Sequence, residues 1–433
     1  MVGIGAGGWE SLGPAERRLL LQAEVVLGGR RHLDLLPPVP NQARNPWPAD
    51  LRSALPELVA DHGARRIVVL ASGDPLMFGV GSTLVELFGP EQVRVRPAVS
   101  SVALAAARMG WAFGTYEVIR VTTDDVDGIR RHLAPGRRLL ILSRDGTTPA
   151  LVRAALVDAG FGSSQLTVLA DLGAPGEGRW DDPDLRRPGG DSPPPPPVQI
   201  ELPSLNVVCV SCVPDRAAPT WTVAPGLADE VFDHDGQLTK RDVRASAIAH
   251  LAPVPGQLLW DVGAGAGSIG IEWCRTHPSC RAIAIERDEA RAKRIALNAA
   301  KLGVPDLEVV AAEASEALAG LPSPDAIFVG GGATATMIDL CWEVLRPCGR
   351  LVVHAVTQQT ESIMVAGWRR LGGELKRIAV ETMTPIGGYD GWKPARAVVQ
   401  WSVHKPLHAL PGRRASEPGP DASEPAAGDL SAP

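Results

Sequence analysis

The residues of this chain best suited to chemistry lie in one stretch, Asp261-Val262-Gly263-Ala264-Gly265-Ala266-Gly267-Ser268. Glycines at alternate positions after an acid provide backbone that a ligand can approach without Cβ atoms in the way. A helix start just beyond them turns free N–H groups toward electronegative atoms. A second acid, Glu286, follows about 20 residues later, at the spacing where a carboxylate accepts both hydroxyls of a ribose. The chemistry such a set supports is the capture of a nucleoside-bearing cofactor. The spacing is G-x-G-x-G and not the G-x-G-x-x-G of dinucleotide loops, so the residues alone leave the cofactor open. Neither a nucleophile triad nor a compact metal-ligand spacing is read elsewhere. Cys209 and Cys212 form a C-x-x-C at the end of an apolar run, and Cys274, His277 and Cys280 fit no tight ligand pattern. Buried structural thiols and no bound metal are expected.

These residues need a strand before them and a helix after. Leu258-Leu259-Trp260 is an apolar run of strand type, Ile269-Gly270-Ile271-Glu272-Trp273 opens a helical pattern, and Arg281-Ala282-Ile283-Ala284-Ile285 is the strand that Glu286 ends. A helix over 288–302 and strands at 307–310, 325–329 and 351–356 continue the alternation, with closing strands within 376–403. Thr239 is the expected N-cap of the helix before the glycine loop. The pattern is that of a doubly wound α/β sheet.

The first half repeats the strand-to-loop grammar. Met1-Val2-Gly3-Ile4-Gly5-Ala6-Gly7-Gly8 leaves room for only a very short first strand, or for a start upstream of Met1. Helices are expected at 14–22 and 51–62, and strands at 24–27 and 66–70, the latter running into Ala71-Ser72-Gly73-Asp74-Pro75-Leu76. Val93-Arg94-Val95-Arg96 reads as a strand leading through Ser100-Ser101 to a helix over 102–109. Arg138-Leu139-Leu140-Ile141-Leu142 leads into Arg144-Asp145-Gly146, and strands at 165–170 and 205–212 belong to a second lobe. Between these last two, 174–198 carries glycine, charge and five consecutive prolines, expected to be an exposed polyproline loop.

Composition narrows the class. At 433 residues the chain is long enough for two or three domains, and 45% hydrophobic with 21% charged residues is ordinary for a soluble protein. A net charge of −6, with no basic cluster, argues against nucleic acid as a partner. The sequence has neither an apolar run of membrane-span length nor a signal-peptide pattern, so a cytoplasmic protein is expected.

The glycine loop after Asp261 resembles the first motif of S-adenosylmethionine-dependent methyltransferases. The ordered set Gly3-Ile4-Gly5, Ser72-Gly73-Asp74-Pro75-Leu76-Met77-Phe78-Gly79-Val80-Gly81, Val99-Ser100-Ser101, Ala112-Phe113, Leu142-Ser143-Arg144-Asp145-Gly146-Thr147-Thr148-Pro149 and Asn206-Val207-Val208 resembles the tetrapyrrole methylases of corrin synthesis, specifically those that methylate precorrin-6 at carbon 5. The set Gly226-Leu227, Thr239-Lys240-Arg241-Asp242-Val243-Arg244-Ala245, Trp260-Asp261-Val262-Gly263-Ala264-Gly265, Ala284-Ile285-Glu286, Ala314, Phe328-Val329-Gly330-Gly331 and Arg350-Leu351-Val352-Val353 resembles the companion enzymes that methylate carbon 15 and decarboxylate the ring C acetate. Both sets in one chain resemble the fused, decarboxylating C5,15-methyltransferases of cobalamin biosynthesis, whose product is precorrin-8X. The segment after Tyr116 departs from the first pattern, lacking a Ser-Leu-His-Gly-Arg type sequence.

The resemblance implies a two-lobed tetrapyrrole methylase domain over 1–212, a linker over 213–225 and a Rossmann-like class I methyltransferase and decarboxylase domain over 226–404; 405–433 lies outside it and, rich in Pro, Ala, Ser and Glu from 408 on, is expected to be a disordered tail. It implies S-adenosylmethionine as cofactor. In the second domain its contacts carry over to Thr239, Asp261, Gly263, Gly265, Gly267, Glu286 and Ala314. In the first domain they carry over to Gly5, Gly73, Asp74, Leu76, Ser100, Ser101 and Asp145, with a turn cap as the competing reading of Asp74. A tetrapyrrole rich in carboxylates makes Lys240, Arg241 and Arg244 candidates for its recognition, against a solvated helix face. Tyr389 and Trp392 are candidates for packing on the macrocycle, against core packing or a plain turn. A homo-oligomer is expected. Two other classes stay open from the residues: a methyltransferase acting on RNA or protein, and a cofactor-binding sensor without turnover.

Overall fold

The computed structural model describes residues 1–407 apart from 49, 64, 122–125, 182–201 and 216–221. The five-proline run at 193–197, the middle of the 213–225 linker and the tail from 408 lie outside the described residues. The chain forms two compact units, 1–235 with 293–307, and 236–292 with 308 onward.

The first unit has two lobes. Its N-terminal lobe contains β1 (Val2–Ile4), α1 (Pro14–Gln22), β2 (Val25–Gly28), α2 (Arg30–Asp34), β3 (Ala43–Pro46), α3 (Leu51–Ala60), β4 (Ile67–Ser72) and α4 (Val80–Phe88). The four strands pair in parallel in the order β1-β4-β2-β3. β2 is buried along its whole length, as parallel strands covered on both faces are. Two apolar clusters flank the sheet, one around Ile4, Leu20, Val26 and Leu70, the other around Val25, Leu27, Leu55 and Leu84.

The second lobe contains α5 (Ser101–Met109), β5 (Glu117–Arg120), β6 (Arg138–Leu142), α6 (Thr148–Asp158), β7 (Gln165–Ala170), β8 (Gly178–Asp181) and β9 (Asn206–Ser211). Its strand order is β5-β6-β9-β7-β8, antiparallel except for β5 with β6. Ser100 caps α5 by accepting from Ala103 N at 3.1 Å, and Gly110 closes it in the left-handed conformation.

One expected strand is absent. Residues 93–96 make only a single bridge, Val2 with Arg96. The alternation of valine and arginine there resembles a half-buried strand, but β1 has only three residues to offer. Arg96 alone pairs with it, through Arg96 N to Met1 O and Gly3 N to Arg96 O, and Pro97 has no N–H to continue the ladder.

The second unit holds α7 (Arg241–Leu251), β10 (Leu258–Val262), α8 (Ser268–Thr276), β11 (Arg281–Ile285), β12 (Glu308–Val310), α10 (Ala314–Ala317), β13 (Ala326–Val329), α11 (Ala335–Val344), β14 (Arg350–Ala355), α12 (Gln358–Leu371), β15 (Glu374–Ile378), β16 (Glu381–Ile386), β17 (Tyr389–Pro394) and β18 (Val398–His404). The chain between β11 and β12 forms α9 (Glu289–Lys301). The sheet order is β12-β11-β10-β13-β14-β18-β15, its first five strands parallel to one another and β18 antiparallel to both β14 and β15. This is the doubly wound sheet that the sequence predicts. Trp260 and Trp401 are fully buried in its core, each contributing about 1.5–3 kcal/mol or more by leaving water. β16 and β17 form a separate two-stranded hairpin. Among the described residues no helix is long and apolar enough to cross a membrane.

The N-terminus of α7 differs from expectation. Lys240 is its N-cap, without a side-chain cap bond, and Thr239 lies one residue outside. The Thr239 carbonyl instead accepts from Arg244 Nη1 at 2.5 Å, so a side chain one turn into the helix holds the strap that enters it.

Candidate functional site

In the second unit the strand order reverses between β10 and β13, the place where doubly wound sheets bind ligands beyond the carboxyl ends of their strands. The glycine loop leaves β10 at this point. Gly263, Gly265 and Gly267 have φ of 69°, 60° and 77°, a left-handed run that residues with a Cβ adopt only at a cost. A Cβ on Gly265 would stand 2.8 Å from the Gln237 carbonyl oxygen, so the 237–240 strap lies directly against the loop. The glycines after β13 close the other side, with Gly331 O 3.2 Å from where a Gly263 Cβ would be. Gly330 and Gly331 carry part of the resemblance in the sequence, and the reversal of strand order gives them their place in the cradle.

The two acids divide the work of holding this loop. Glu286 is almost fully buried; its Oε2 accepts Gly265 N at 2.9 Å and its Oε1 accepts Asp288 N at 3.1 Å. Each oxygen keeps a second lone-pair direction, so the carboxylate can still meet a ribose. Asp261 points inward: it is 1% exposed, its Oδ2 accepts Gly270 N at 2.9 Å, and its Oδ1 has no partner. Burial pushes its carboxyl up to about 7, with the charge of Glu286 adding to the effect and the Gly270 bond opposing it. Asp261 therefore braces the loop to α8 from beneath and does not line the cradle, which corrects its assignment as a contact. Ala314 is buried in the core at the start of α10, leaving only its backbone for a ligand.

Of the three cations proposed for the substrate, the structure keeps two at the surface and removes one. Lys240 and Arg241 are exposed, whereas Arg244 is 0% exposed and donates from Nε to Glu272 Oε1 at 2.7 Å, with Glu272 itself 3% exposed. A guanidinium enclosed in this way cannot reach a substrate carboxylate, so Arg244 is corrected to a positioning residue that ties the strap to α8. Tyr389 and Trp392 are 84% and 62% exposed on β17. They oppose Ile386 and Met383, so their side chains leave opposite faces of the hairpin and do not form one platform. Core packing is excluded for both.

In the first unit a cleft of about 570 Å³ lies between the carboxyl ends of β1 and β4 and the second lobe. Gly5, Gly73, Asp74, Ser100 and Ser101 all line it, from three separate segments of sequence. The close approach begins at Gly3, where a Cβ would stand 2.0 Å from Gly73 O, and Gly73 itself has φ of 50°. Asp74 Oδ1 accepts Leu76 N at 2.9 Å, the turn-capping role, while its residue still faces the cleft. Leu76 and Asp145 are not among the lining residues. Asp145 accepts from Thr147 N, Thr147 Oγ1 and Arg144 Nε at 2.8, 2.6 and 2.8 Å, bonds that hold its carboxyl down to about 2. Its neighbour Arg144 lines the cleft instead, together with Arg31, His32 and Arg120, and Asn206 braces the loop through Ser143 and the Asp145 carbonyl. Of these four only Arg144 belongs to a sequence motif; Arg31, His32 and Arg120 join it only through the strand order.

Both sites fit S-adenosylmethionine on their own geometry: glycine backbone that a Cβ would fill, and in the second unit a buried acid with a free lone-pair direction. Cys209, Cys212 and Cys341 are buried, which pushes their thiols up to about 12, 11 and 12.

Comparison with known proteins covers both units. Residues 1–182 match the tetrapyrrole (corrin/porphyrin) methylases, and residues 230–405 match the precorrin methyltransferase domain. A Sinorhizobium sp protein described as precorrin-6Y C(5,15)-methyltransferase [decarboxylating] is 44% identical over 94% of this chain and 96% of its own length. A Mycobacterium tuberculosis (strain CDC 1551 / Oshkosh) protein of the same description is 42% identical over 94% of this chain and 99% of its own. The crystal structure of the C-terminal domain of precorrin-6Y C5,15-methyltransferase from Rhodobacter capsulatus, 40% identical, covers 42% of this chain and all of that domain, with a TM-score of 0.41. The chain belongs to the precorrin-6Y C(5,15)-methyltransferase (decarboxylating) family.

Proposed function

We propose that this protein methylates a reduced precorrin-6 at carbons 5 and 15 with S-adenosylmethionine and releases the ring C acetate carboxyl as carbon dioxide, giving precorrin-8X. The observation that carries the reading is the presence, in one chain matched over 94% of its length, of both a two-lobed cleft unit and a glycine-loop unit. We assign carbon 5 to the domain at 1–212 and carbon 15 with decarboxylation to that at 226–404. The bound cofactor supplies an electrophilic methyl group on a sulfonium. The chain's task is then to hold that group in line with an electron-rich carbon and to keep water out.

In the first unit Gly5, Gly73, Asp74, Ser100 and Ser101 form the cofactor wall, and Arg31, Arg120 and Arg144 stand where substrate carboxylates are received by fork-like hydrogen bonds. In the second unit Gly263, Gly265, Gly267 and Glu286 hold the cofactor, Thr239 carries the strap over it, and Lys240 and Arg241 remain for the substrate. The hairpin exposes Met383, Ile386, Tyr389 and Trp392 on its two faces, which favours a homo-oligomer in which a second copy covers it. Five buried free thiols suit a reducing, cytoplasmic setting.

The test is mass spectrometry of the substrate after incubation with full-length protein and S-adenosylmethionine. Two methyl groups gained and one carbon dioxide lost is the expected product. Gly73→Val should remove only the carbon-5 methyl and Gly265→Ala only the carbon-15 methyl; loss of the same methyl in both variants would overturn the division between units.

A further inference from the structure

The cleft of the first unit contains a side-chain cluster that the cofactor wall does not use. Arg31 and His32 on α2 and Ser72 at the end of β4 all line it. Ser72 Oγ lies 2.9 Å from His32 Nε2, and Arg31 Nη2 lies 2.8 Å from the same nitrogen and 3.3 Å from Ser72 Oγ. A guanidinium can only donate, so Nε2 meets it with a lone pair and the proton of the neutral ring sits on Nδ1. Nδ1 is buried without a partner, against Gly29. Burial first, and then the charge of Arg31, lower the ring to about 4, so it is an acceptor at neutral pH and not a cation for carboxylates. The charged and polar groups facing it are Arg31 on its own helix, Ser72 on β4 and, through Arg31, Asp171 after β7.

A meso carbon that is methylated and then returns to the conjugated ring must shed the hydrogen it bore. The sulfur–methyl bond breaks as the carbon–methyl bond forms, the C–H electron pair returns to the conjugated ring, and a proton is left over that needs an acceptor. We propose that Ser72 and His32 are the proton relay of carbon-5 methylation: Ser72 Oγ takes the proton from carbon while its own passes to His32 Nε2, after a substrate carboxylate has drawn Arg31 off that nitrogen. The proposal rests on the assignment of carbon 5 to this unit. With Arg31 Nη2 on Nε2 the guanidinium covers the lone pair, and the base is held back. A carboxylate pairing with Arg31 uncovers it and removes the cation that an imidazolium would otherwise face at 2.8 Å. The carbon acid formed on methylation is itself cationic and strong, so a weakly basic ring is sufficient to accept its proton.

Two measurements on the full chain test this. With ¹⁵N-labelled histidine, and His32→Ala to identify the resonance, the His32 ring should show the Nδ1–H tautomer and stay unprotonated at neutral pH. Reduced precorrin-6 added without S-adenosylmethionine should raise its titration midpoint by about one pH unit or more. In turnover, His32→Ala should lower the carbon-5 methylation rate about 100-fold with recovery in added imidazole, and Ser72→Ala should lower it without such recovery. An Nε2–H tautomer, a midpoint unmoved by substrate, or a His32→Ala rate within threefold of the parent would each overturn the relay. Loss without imidazole rescue would reduce His32 to a structural role and also overturn it. If the parent protein adds no methyl at carbon 5, the functional assignment fails instead.

Discussion

Gly265→Ala is the smallest change that tests how the second cofactor cradle is held. At φ of 60° an alanine costs about 1–2 kcal/mol relative to its preferred conformations. Its Cβ would stand 2.8 Å from the Gln237 carbonyl oxygen, a backbone atom of the strap that cannot rotate aside, so loop and strap must part by a few tenths of an ångström. That movement draws Gly265 N away from Glu286 Oε2, now at 2.9 Å, a bond to a charged acceptor that contributes about 1.5–3 kcal/mol. With the bond partly lost, the native loop is disfavoured by about 3 kcal/mol. A ligand that binds only the native loop is then held about a hundredfold more weakly. Equilibrium dialysis with labelled S-adenosylmethionine should find one of two sites weakened to that extent, and the carbon-15 methyl should vanish from the product at low cofactor concentration. Both sites unchanged within twofold, with carbon-15 methylation intact, would show that Gly265 is not part of a cofactor cradle.

Other perturbations follow from the same geometry. Asp261 has a folded-state pKa of about 7 against an ordinary 3.8, so its contribution to stability is full below about pH 4 and lost as pH rises through about 7. Asp261→Asn, which keeps an oxygen for Gly270 N, should flatten the melting temperature of the second unit between about pH 5 and 8; an unchanged slope would contradict the assignment. Arg244→Ala leaves Glu272 buried without its guanidinium and should destabilise by about 3–5 kcal/mol in urea unfolding, whereas Arg244→Met with Glu272→Leu should recover most of it. Tyr389→Ser with Trp392→Ser should shift the oligomer toward smaller species in sedimentation velocity while monomer folding is kept, since neither side chain is in a core.

What was legible in the sequence was what local chemistry dictates. The loop at Gly263 to Gly267 declares its backbone, because a left-handed run needs glycine, and Glu286 follows at strand-plus-turn spacing. The alternation of apolar runs with helical patterns was enough to place the doubly wound sheet. Arg244 was misread from charge alone, beside Lys240 and Arg241, although its position relative to Ala247, Ile248 and Leu251, three, four and seven residues on, marks the buried face of α7. Asp261 was grouped with the loop it adjoins, but a strand end buried on both faces turns its carboxyl inward. His32, Arg31 and Arg120 carried no signal, because their meeting depends on β2, β4 and β5 ending at one cleft. The valine and arginine alternation at 93–96 promised a strand, but a strand needs a neighbour long enough to pair with, and β1 is not.

The central claim is that one chain performs two methylations and a decarboxylation on one tetrapyrrole. Its most direct test is turnover with S-adenosylmethionine labelled with ¹³C in the methyl group, followed by NMR of the product and collection of released carbon dioxide. Labelled methyl carbons at positions 5 and 15 of the same molecule and one equivalent of carbon dioxide are expected. A single labelled position at completion, or two without carbon dioxide release, would contradict it.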